Sequence, residues 1–180
     1  MEEQIKTAPQ TDVEVVDIQF RSGQKIYFFD PDGQRFADGM LWEGTGEHGE
    51  SVVQTLDLET GRTEVFARLP QEDFGEGITL LDGKLYQLTW QSNKAYVYDL
   101  ETGKKIKEFR YPGEGWGLTT DGQKLYMSDG TANIYTLDPA TFKREKRTTV
   151  TLKGIAINFL NELELSLIHI SEPTRHSLIS

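Results

Sequence analysis

Glutamates between glycines are the residues of this sequence with the clearest potential for chemistry. Glu76 and Glu114 each lie in a Gly-Glu-Gly phrase, and we expect them to occupy equivalent places in a repeated fold. A carboxyl group in an apolar setting can accept and return a proton as a general acid or base. A second repeated position holds Glu43, Gln87 and Met127, each placed shortly after an aligned leucine. Glu76 and Glu114 either take part in catalysis or form hydrogen bonds with backbone groups in every copy of the repeat.

Two tryptophans stand close to these glutamates in the sequence. Trp116 follows the second Gly-Glu-Gly phrase directly, and Trp90 follows the strand that is predicted to pair with the first. The two rings either line an apolar pocket for a small substrate or pack between repeats. Asn161 and Glu162 stand at the start of a further copy, and the step from Glu114 to Glu162 is longer than the step from Glu76 to Glu114. Because they stand beside the C-terminal segment 165–180, which does not continue the repeat, they are the weaker candidates.

Composition and motifs exclude several kinds of site. The 180 residues contain no Cys, which excludes disulfides, thiolate nucleophiles and Cys-bound zinc. The net charge of −10 argues against nucleic-acid binding, which needs a basic face, and no apolar run approaches the ~18 residues of a membrane span. The segment Asp30–Leu41 lacks the Glu that closes a calcium-binding loop. We therefore predict no nucleic-acid partner and no membrane partner. We also expect no metal, no cofactor and a monomer, although composition alone does not decide these three points.

Three copies of one turn phrase organise the chain. Asp57, Asp99 and Asp138 stand at the same point of that phrase, at nearly equal intervals along the sequence. A period of about 40 residues indicates a repeat architecture, and four short strands per unit are typical of a β-propeller blade. A β-sandwich is the alternative. In the second unit the predicted strands are Ile78–Leu81, Lys84–Thr89, Ala95–Leu100 and Lys105–Tyr111.

The period predicts an all-β chain with about three propeller blades and partial strands at both ends. We expect residues 1–11 to be disordered and residues 12–164 to form an incomplete β-propeller domain. Residues 165–180 are excluded from the fold as an artefactual tail, because Ser166–Arg175 resembles a translated sequencing adaptor. The predicted blades are Asp32–Pro70, Glu76–Pro112 and Glu114–Val150, with a fourth that begins near Gly154.

Several longer phrases resemble one enzyme family. Phe74–Trp90 and Gly113–Gly130 are similar to phrases of glutaminyl cyclases (glutamine cyclotransferases) of the plant and bacterial type, and Trp42–Gly46 and Asn161–Glu164 are similar to two more. The resemblance implies a five-bladed β-propeller with its site at one end of the central channel. It also implies an extracytoplasmic enzyme that needs no metal and acts on N-terminal glutaminyl peptides or proteins. Such an enzyme forms pyroglutamyl residues and releases ammonia.

The resemblance assigns roles to the candidate residues. Cyclisation requires a neutral amine and a group that carries a proton to the leaving nitrogen, which a carboxyl with a suitable pKa can do. The resemblance implies Glu43 or Glu76 as this catalytic group. The residues that it implies for substrate binding are Gln87, Trp90, Glu114, Trp116, Asn161 and Glu162.

The first blade departs from the family pattern. Alignment on Asp38-Gly39 places Asp30–Gln34 where the family has a Phe-Thr-Gln-Gly-Leu phrase, with Asp32 at the position of the family Gln. This departure favours the alternative function, a non-catalytic propeller that serves as a binding scaffold. Because the family propeller has five blades, we expect these 180 residues alone to be inactive or poorly active.

Overall fold

The chain consists of β-strands and their connections wherever its structure is described. The computed structural model describes residues 24–27, 40–57, 60–161 and 163. The terminal segments 1–11 and 165–180 lie outside these ranges. The described part holds no helix long and apolar enough to cross a membrane. The strands are β1 (Gln24–Tyr27), β2 (Met40–Thr45), β3 (Val52–Asp57), β4 (Thr63–Arg68), β5 (Gly75–Leu81), β6 (Lys84–Thr89), β7 (Lys94–Asp99), β8 (Lys105–Arg110), β9 (Leu118–Thr120), β10 (Leu125–Ser128), β11 (Asn133–Leu137), β12 (Arg144–Thr149), β13 (Thr151–Leu152) and β14 (Ile155–Ala156).

Three four-stranded antiparallel sheets follow one another along the chain. They contain β1–β4, β5–β8 and β9–β12, each in sequence order, and β13 pairs with β14 in a following hairpin. The inner strand β5 contacts β1 and β2 of the first sheet and β9 of the third. Four-stranded sheets that meet along their first strands are the blades of a β-propeller, so the predicted fold class is confirmed. The blades do not close into a ring within the described residues.

The repeated turn phrase builds the same turn in each blade. The carboxylates of Asp57, Asp99 and Asp138 each accept a hydrogen bond from the backbone N–H three residues later, at 2.9, 2.8 and 2.8 Å. Turns of this kind, stabilised by an Asp side chain, join the third and fourth strands. The predicted strands of the second unit agree with β5–β8 to within three residues at every end.

Apolar side chains fill the two seams between neighbouring sheets. Because side chains alternate between the faces of a strand, the second sheet packs one face on each neighbour. Full burial of one large apolar side chain contributes about 1.5–3 kcal/mol, so these seams hold the blades together. The seam between the first and second sheets contains Val53, Ala67, Leu69, Ile78, Leu80, Leu85, Tyr96 and Tyr98. The seam between the second and third contains Tyr86, Leu88, Val97, Phe109, Tyr111, Leu118, Met127, Tyr135, Leu137 and Phe142.

Glycines allow the inner strands of neighbouring blades to approach at backbone contact distance. The N–H of Gly77 donates to the carbonyl of Trp116 at 2.7 Å, and a Cβ atom on Gly77 would lie 2.5 Å from that oxygen. A Cβ atom on Gly117 would likewise meet the carbonyl of Asn161, although the N–H of Gly117 donates to Oγ of Ser128 at 2.8 Å. The contact between the second and third blades is therefore repeated between the third blade and the segment that follows β14.

The first blade differs from its prediction. β1 pairs antiparallel with β2 and places Ile26 opposite Glu43, so Gln24–Tyr27 forms the inner strand. The prediction that the first blade begins at Asp32 is wrong, because its inner strand precedes that residue. Isoleucine and tyrosine favour strands, whereas Asp-Pro-Asp-Gly has the composition of a turn. Asp32 itself lies outside the described residues.

Candidate functional site

The candidate residues of the second and third blades gather at one end of the sheets. β5 begins and β6 ends at this end, as β9 and β10 do in the next blade. The connections here carry Phe74, Trp90, Glu114 and Trp116. The turns that contain the Asp-x-x-Thr phrase lie at the opposite end of the sheets. Among the candidate residues, a carboxyl group and aromatic rings therefore lie together only at the end of the sheets where β5 begins.

Glu114 joins the two tryptophans of the site. Nε1 of Trp90 and Nε1 of Trp116 both donate to Oε2 of Glu114, each at 2.9 Å. All three residues are partly buried. Trp90 follows β6 and Trp116 precedes β9, so the carboxylate bridges the second and third blades.

Further rings extend this arrangement toward the first blade. The ring of Phe74 packs edge-to-face against Trp90 and His48, with centroids 5.6 and 5.0 Å away. Gly46 makes room for Phe74, because a Cβ atom there would lie 2.5 Å from Cε1 of the ring. The sequence pattern does not predict Phe74 as a site residue. The signal that could have found it is its position directly before the first Gly-Glu-Gly phrase.

Glu76 and Glu114 do not occupy equivalent places, and the prediction that they do is wrong. Ile78 and Leu118 hold the same register position in their blades, because Ile78 pairs with Gln87 and Leu118 pairs with Met127. Counted back from these two residues, Glu76 corresponds to Trp116, and Glu114 lies two positions earlier in the chain. Glu76 is 7% exposed and sits in an irregularity near the start of β5.

Asn161 takes the matching place in the segment after β14. Its carbonyl lies against Gly117 as the carbonyl of Trp116 lies against Gly77, and it accepts a hydrogen bond from Oγ of Ser128 at 2.7 Å. The residue that follows, Glu162, lies outside the described residues. Glu76 in β5, Trp116 before β9 and Asn161 after β14 therefore take one repeated position.

Glu43 and Gln87 share one register position on the second strands of their blades, as their alignment predicts. Glu43 is 3% exposed, and its Oε2 accepts a hydrogen bond from Nε2 of Gln54 at 2.7 Å. Gln87 is fully buried, and the described residues give its amide no hydrogen-bond partner. The amide nitrogen lies against Gly75, and Met127 takes the same place in the next seam. Gln87 is thus fully enclosed by the described residues.

A buried ion pair anchors the loop that leads into the site. The fully buried carboxylate of Asp73 accepts hydrogen bonds from Nζ of Lys94 at 3.0 and 3.1 Å and from the hydroxyl of Tyr96. Burial acts to raise the pKa of Asp73, but hydrogen bonds from Ser92, Tyr96 and Lys94 together hold it below its usual range. The charged carboxylate is therefore favoured, and it fixes the backbone one residue before the phenylalanine of the site.

The site offers a carboxyl group, two hydrogen-bonded indoles and a phenyl ring. Such a set can enclose a small, largely apolar substrate and move a proton through the carboxyl group. Across the described ranges, no three His, Asp or Glu side chains are placed to hold one metal ion.

Comparison with known proteins points to one family. A family model described as glutamine cyclotransferase matches residues 2–170. Glutaminyl-peptide cyclotransferase of Arabidopsis thaliana is 41% identical over 143 residues, which cover 75% of this chain and 44% of that protein. A crystal structure of Myxococcus xanthus glutaminyl cyclase matches with a TM-score of 0.62 and 30% identity, over 72% of this chain and 54% of that one.

A more distant structure shares the fold alone. Hydrazine synthase of Kuenenia stuttgartiensis matches with a TM-score of 0.52 at 17% identity, over 77% of this chain and 39% of that one. The chain spans about half the length of the glutaminyl cyclase relatives that it matches. The family predicted from the sequence phrases is confirmed, and the chain belongs to the glutamine cyclotransferase family.

Proposed function

We propose that this chain carries part of a glutaminyl cyclase site, and that the whole protein converts N-terminal glutaminyl residues to pyroglutamyl residues. The observation that carries this proposal is the position of Glu76, a nearly buried carboxyl at the end of the sheets where Phe74, Trp90 and Trp116 also lie. Aromatic walls suit a small glutaminyl group, and their low polarity favours the neutral amine that cyclisation requires. Family membership supports the same reaction.

The reaction needs one proton carrier. The α-amine attacks the carbon of the side-chain amide, a new C–N bond closes the five-membered ring, and the bond to the amide nitrogen breaks. One proton leaves the α-amine and one reaches the departing nitrogen, so a single carboxyl group can take the first and supply the second. Because both reacting groups belong to one residue, a pocket that holds the residue folded back on itself supplies much of the rate.

Glu76 fits this role better than Glu43. Glu76 lies on an inner strand, at the position that Trp116 and Asn161 take in the following blades. Glu43 lies on the second strand of its blade, away from that inner position. We therefore assign the proton-carrying role to Glu76 and a role in blade packing to Glu43.

Release of ammonia from a glutaminyl peptide tests the proposal. The chain is assayed alone and joined to the remaining sequence of the Arabidopsis relative, because it spans only 44% of that protein. We expect turnover from the joined protein and little or none from the chain alone. Glu76→Gln should lower kcat by about 100-fold or more, whereas the matched Glu43→Gln should retain most activity. Undiminished turnover in Glu76→Gln would contradict the assignment.

The alternative function is a non-catalytic binding scaffold. Its support is Asp32 at the position of the family Gln, and this support is weaker because the strand register makes Gln24–Tyr27 the first inner strand. An inactive joined protein, beside an active Arabidopsis enzyme, would favour the scaffold. We also propose an extracytoplasmic location, which is typical of the family and which fractionation of the source cells would check.

A further inference from the structure

Two indole N–H groups share a single carboxylate oxygen at the site. Both Trp90 and Trp116 donate to Oε2 of Glu114 at 2.9 Å, so their Nε1 atoms are no more than twice that distance apart. Hydrogen bonds to a charged acceptor are about twice as strong as those between neutral groups. A change in the orientation of one indole therefore acts on the other through the shared oxygen.

Each indole is also held from another side. Trp90 packs edge-to-face on Phe74 with centroids 5.6 Å apart. Trp116 lies on Gly130, where a Cβ atom would be 2.6 Å from Cζ2 of the indole and where φ is +77°. The N–H of Gly115 donates to the carbonyl of Trp90 at 3.3 Å, which ties the two loops together through the backbone as well. The carboxylate of Glu114 is the side chain that contacts both rings and orients one relative to the other.

We propose that Glu114 is a positioning residue, which fixes the indoles of Trp90 and Trp116 as a pair across the seam between the second and third blades. An indole has one N–H donor, and in both rings that donor is already used by Glu114. The two tryptophans therefore present ring surface to a substrate and no hydrogen-bond donor. Glu114 acts on the substrate through the rings, in place of the direct contact that the sequence predicts.

The consequence for the substrate rests on the proposed function. If a glutaminyl residue binds against these rings, their fixed separation selects a small side chain and holds it ready for ring closure. Loosening the pair should then weaken binding more than it slows the chemical step, because the proton-carrying carboxyl is a different residue. This separates Glu114 from Glu76, whose loss should lower kcat.

Nuclear magnetic resonance of the chain tests the pair without any need for activity. The chain has three tryptophans, Trp42, Trp90 and Trp116, and each gives one indole ¹H–¹⁵N signal. In Glu114→Ala we expect the signals of Trp90 and Trp116 both to shift and their N–H groups to exchange with solvent about tenfold faster. The signal of Trp42 stays in place and reports that the first blade remains folded.

Matched variants make this test specific. Glu114→Gln keeps a carbonyl oxygen as acceptor and should give smaller shifts in the same two signals. Glu101→Ala removes the same charge from an exposed turn at the opposite end and should shift neither. Trp90→Phe should shift the Trp116 signal through the shared oxygen. If Glu114→Ala moves only one indole signal, or neither, the paired arrangement is wrong.

Kinetics of the joined protein then test the link to the substrate. In Glu114→Ala we expect KM to rise about tenfold while kcat changes by less than about threefold, with partial rescue in Glu114→Gln. A fall in kcat with unshifted indole signals would mean that Glu114 contacts the substrate itself, which overturns the positioning role. If the unaltered joined protein shows no turnover, the proposed function fails and the substrate link fails with it. The indole signals would still decide whether the pair exists.

Discussion

Gln87→Met tests whether the buried amide of Gln87 belongs to packing or to substrate binding. The side chain is fully enclosed, and the described part of the chain offers no hydrogen-bond partner to its Oε1 or Nε2. Met127 holds the matching register position in the third blade and is also fully buried. Because methionine is close to glutamine in length and shape, the substitution removes polar atoms with little change in volume.

The expected gain follows from the cost of burying a polar group without a partner. That cost is about 1–3 kcal/mol, and a volume-conserving substitution loses less than about 1.5 kcal/mol to imperfect packing. We therefore expect Gln87→Met to stabilise the chain by about 1 kcal/mol. With a urea m-value of about 2 kcal/mol/M, the midpoint of unfolding rises by about 0.5 M.

Urea unfolding followed by circular dichroism measures this shift. Two controls separate the amide from the volume that it fills. Met127→Gln places the same unpaired amide in the next seam and should lower the midpoint, and Gln87→Ala should lower it through a cavity. A lower midpoint in Gln87→Met would show that the amide is hydrogen-bonded in solution and would refute the reasoning. A loss of turnover in the joined protein at undiminished stability would return Gln87 to the substrate site.

Three further substitutions test the supports of the site. Asp73→Asn removes the buried carboxylate from Lys94 and leaves only the exposed carboxylate of Glu72 at 3.7 Å, so it should cost about 3 kcal/mol in urea unfolding. Folding lowers the pKa of Asp73, so its charge contributes fully to stability above the ordinary aspartate pKa, and this contribution is lost as the pH falls toward the lowered value. The free energy of unfolding of Asp73→Asn should therefore fall less steeply than that of the unaltered chain between about pH 5 and pH 3. Gly77→Ala forces a methyl group against the backbone of the next blade and should cost about 3 kcal/mol, whereas Gly122→Ala, with open space and φ of +86°, should cost about 1 kcal/mol. Burial raises the pKa of Tyr111 to about 12, despite hydrogen bonds to a nearby threonine. An ultraviolet titration of the unaltered chain should therefore show one tyrosine step near that pH that is missing in Tyr111→Phe. Loss of a step near pH 10 instead would contradict the burial.

Local chemistry made the blade pattern predictable from the sequence. The turns at Asp57, Asp99 and Asp138 form through hydrogen bonds to a backbone N–H three residues away, so the same phrase builds the same turn in every copy. Alternation of apolar residues likewise determines which side chains enter the seams. Both signals act within one or two strands, which is why the strand bounds of the second blade were predicted to within three residues.

Contacts between blades were harder to predict, because spacing along the sequence does not measure them. Glu76 and Glu114 share the Gly-Glu-Gly letters, yet the strand register matches Glu76 with Trp116. The glycines in the two phrases serve different contacts. Gly77 admits the backbone of the next blade, whereas Gly113 has φ of +84° in a loop. The bridge from Glu114 to two indoles likewise needs side chains from two blades, which no local pattern reveals.

The fold and the site use adjacent positions of each blade for different purposes. Gly77 and Gly117 must remain without side chains, because each lies against the backbone of the next inner segment, and this contact sets the spacing of the inner strands. The residue before each glycine is not subject to that limit, and there the blades differ: Glu76, Trp116 and, at the matching place, Asn161. A rigid repeated contact thus presents a carboxyl group, an indole and an amide at one end of the sheets. Substitution at this single position can therefore change the chemistry of the site without disturbing the glycine contact that joins the blades.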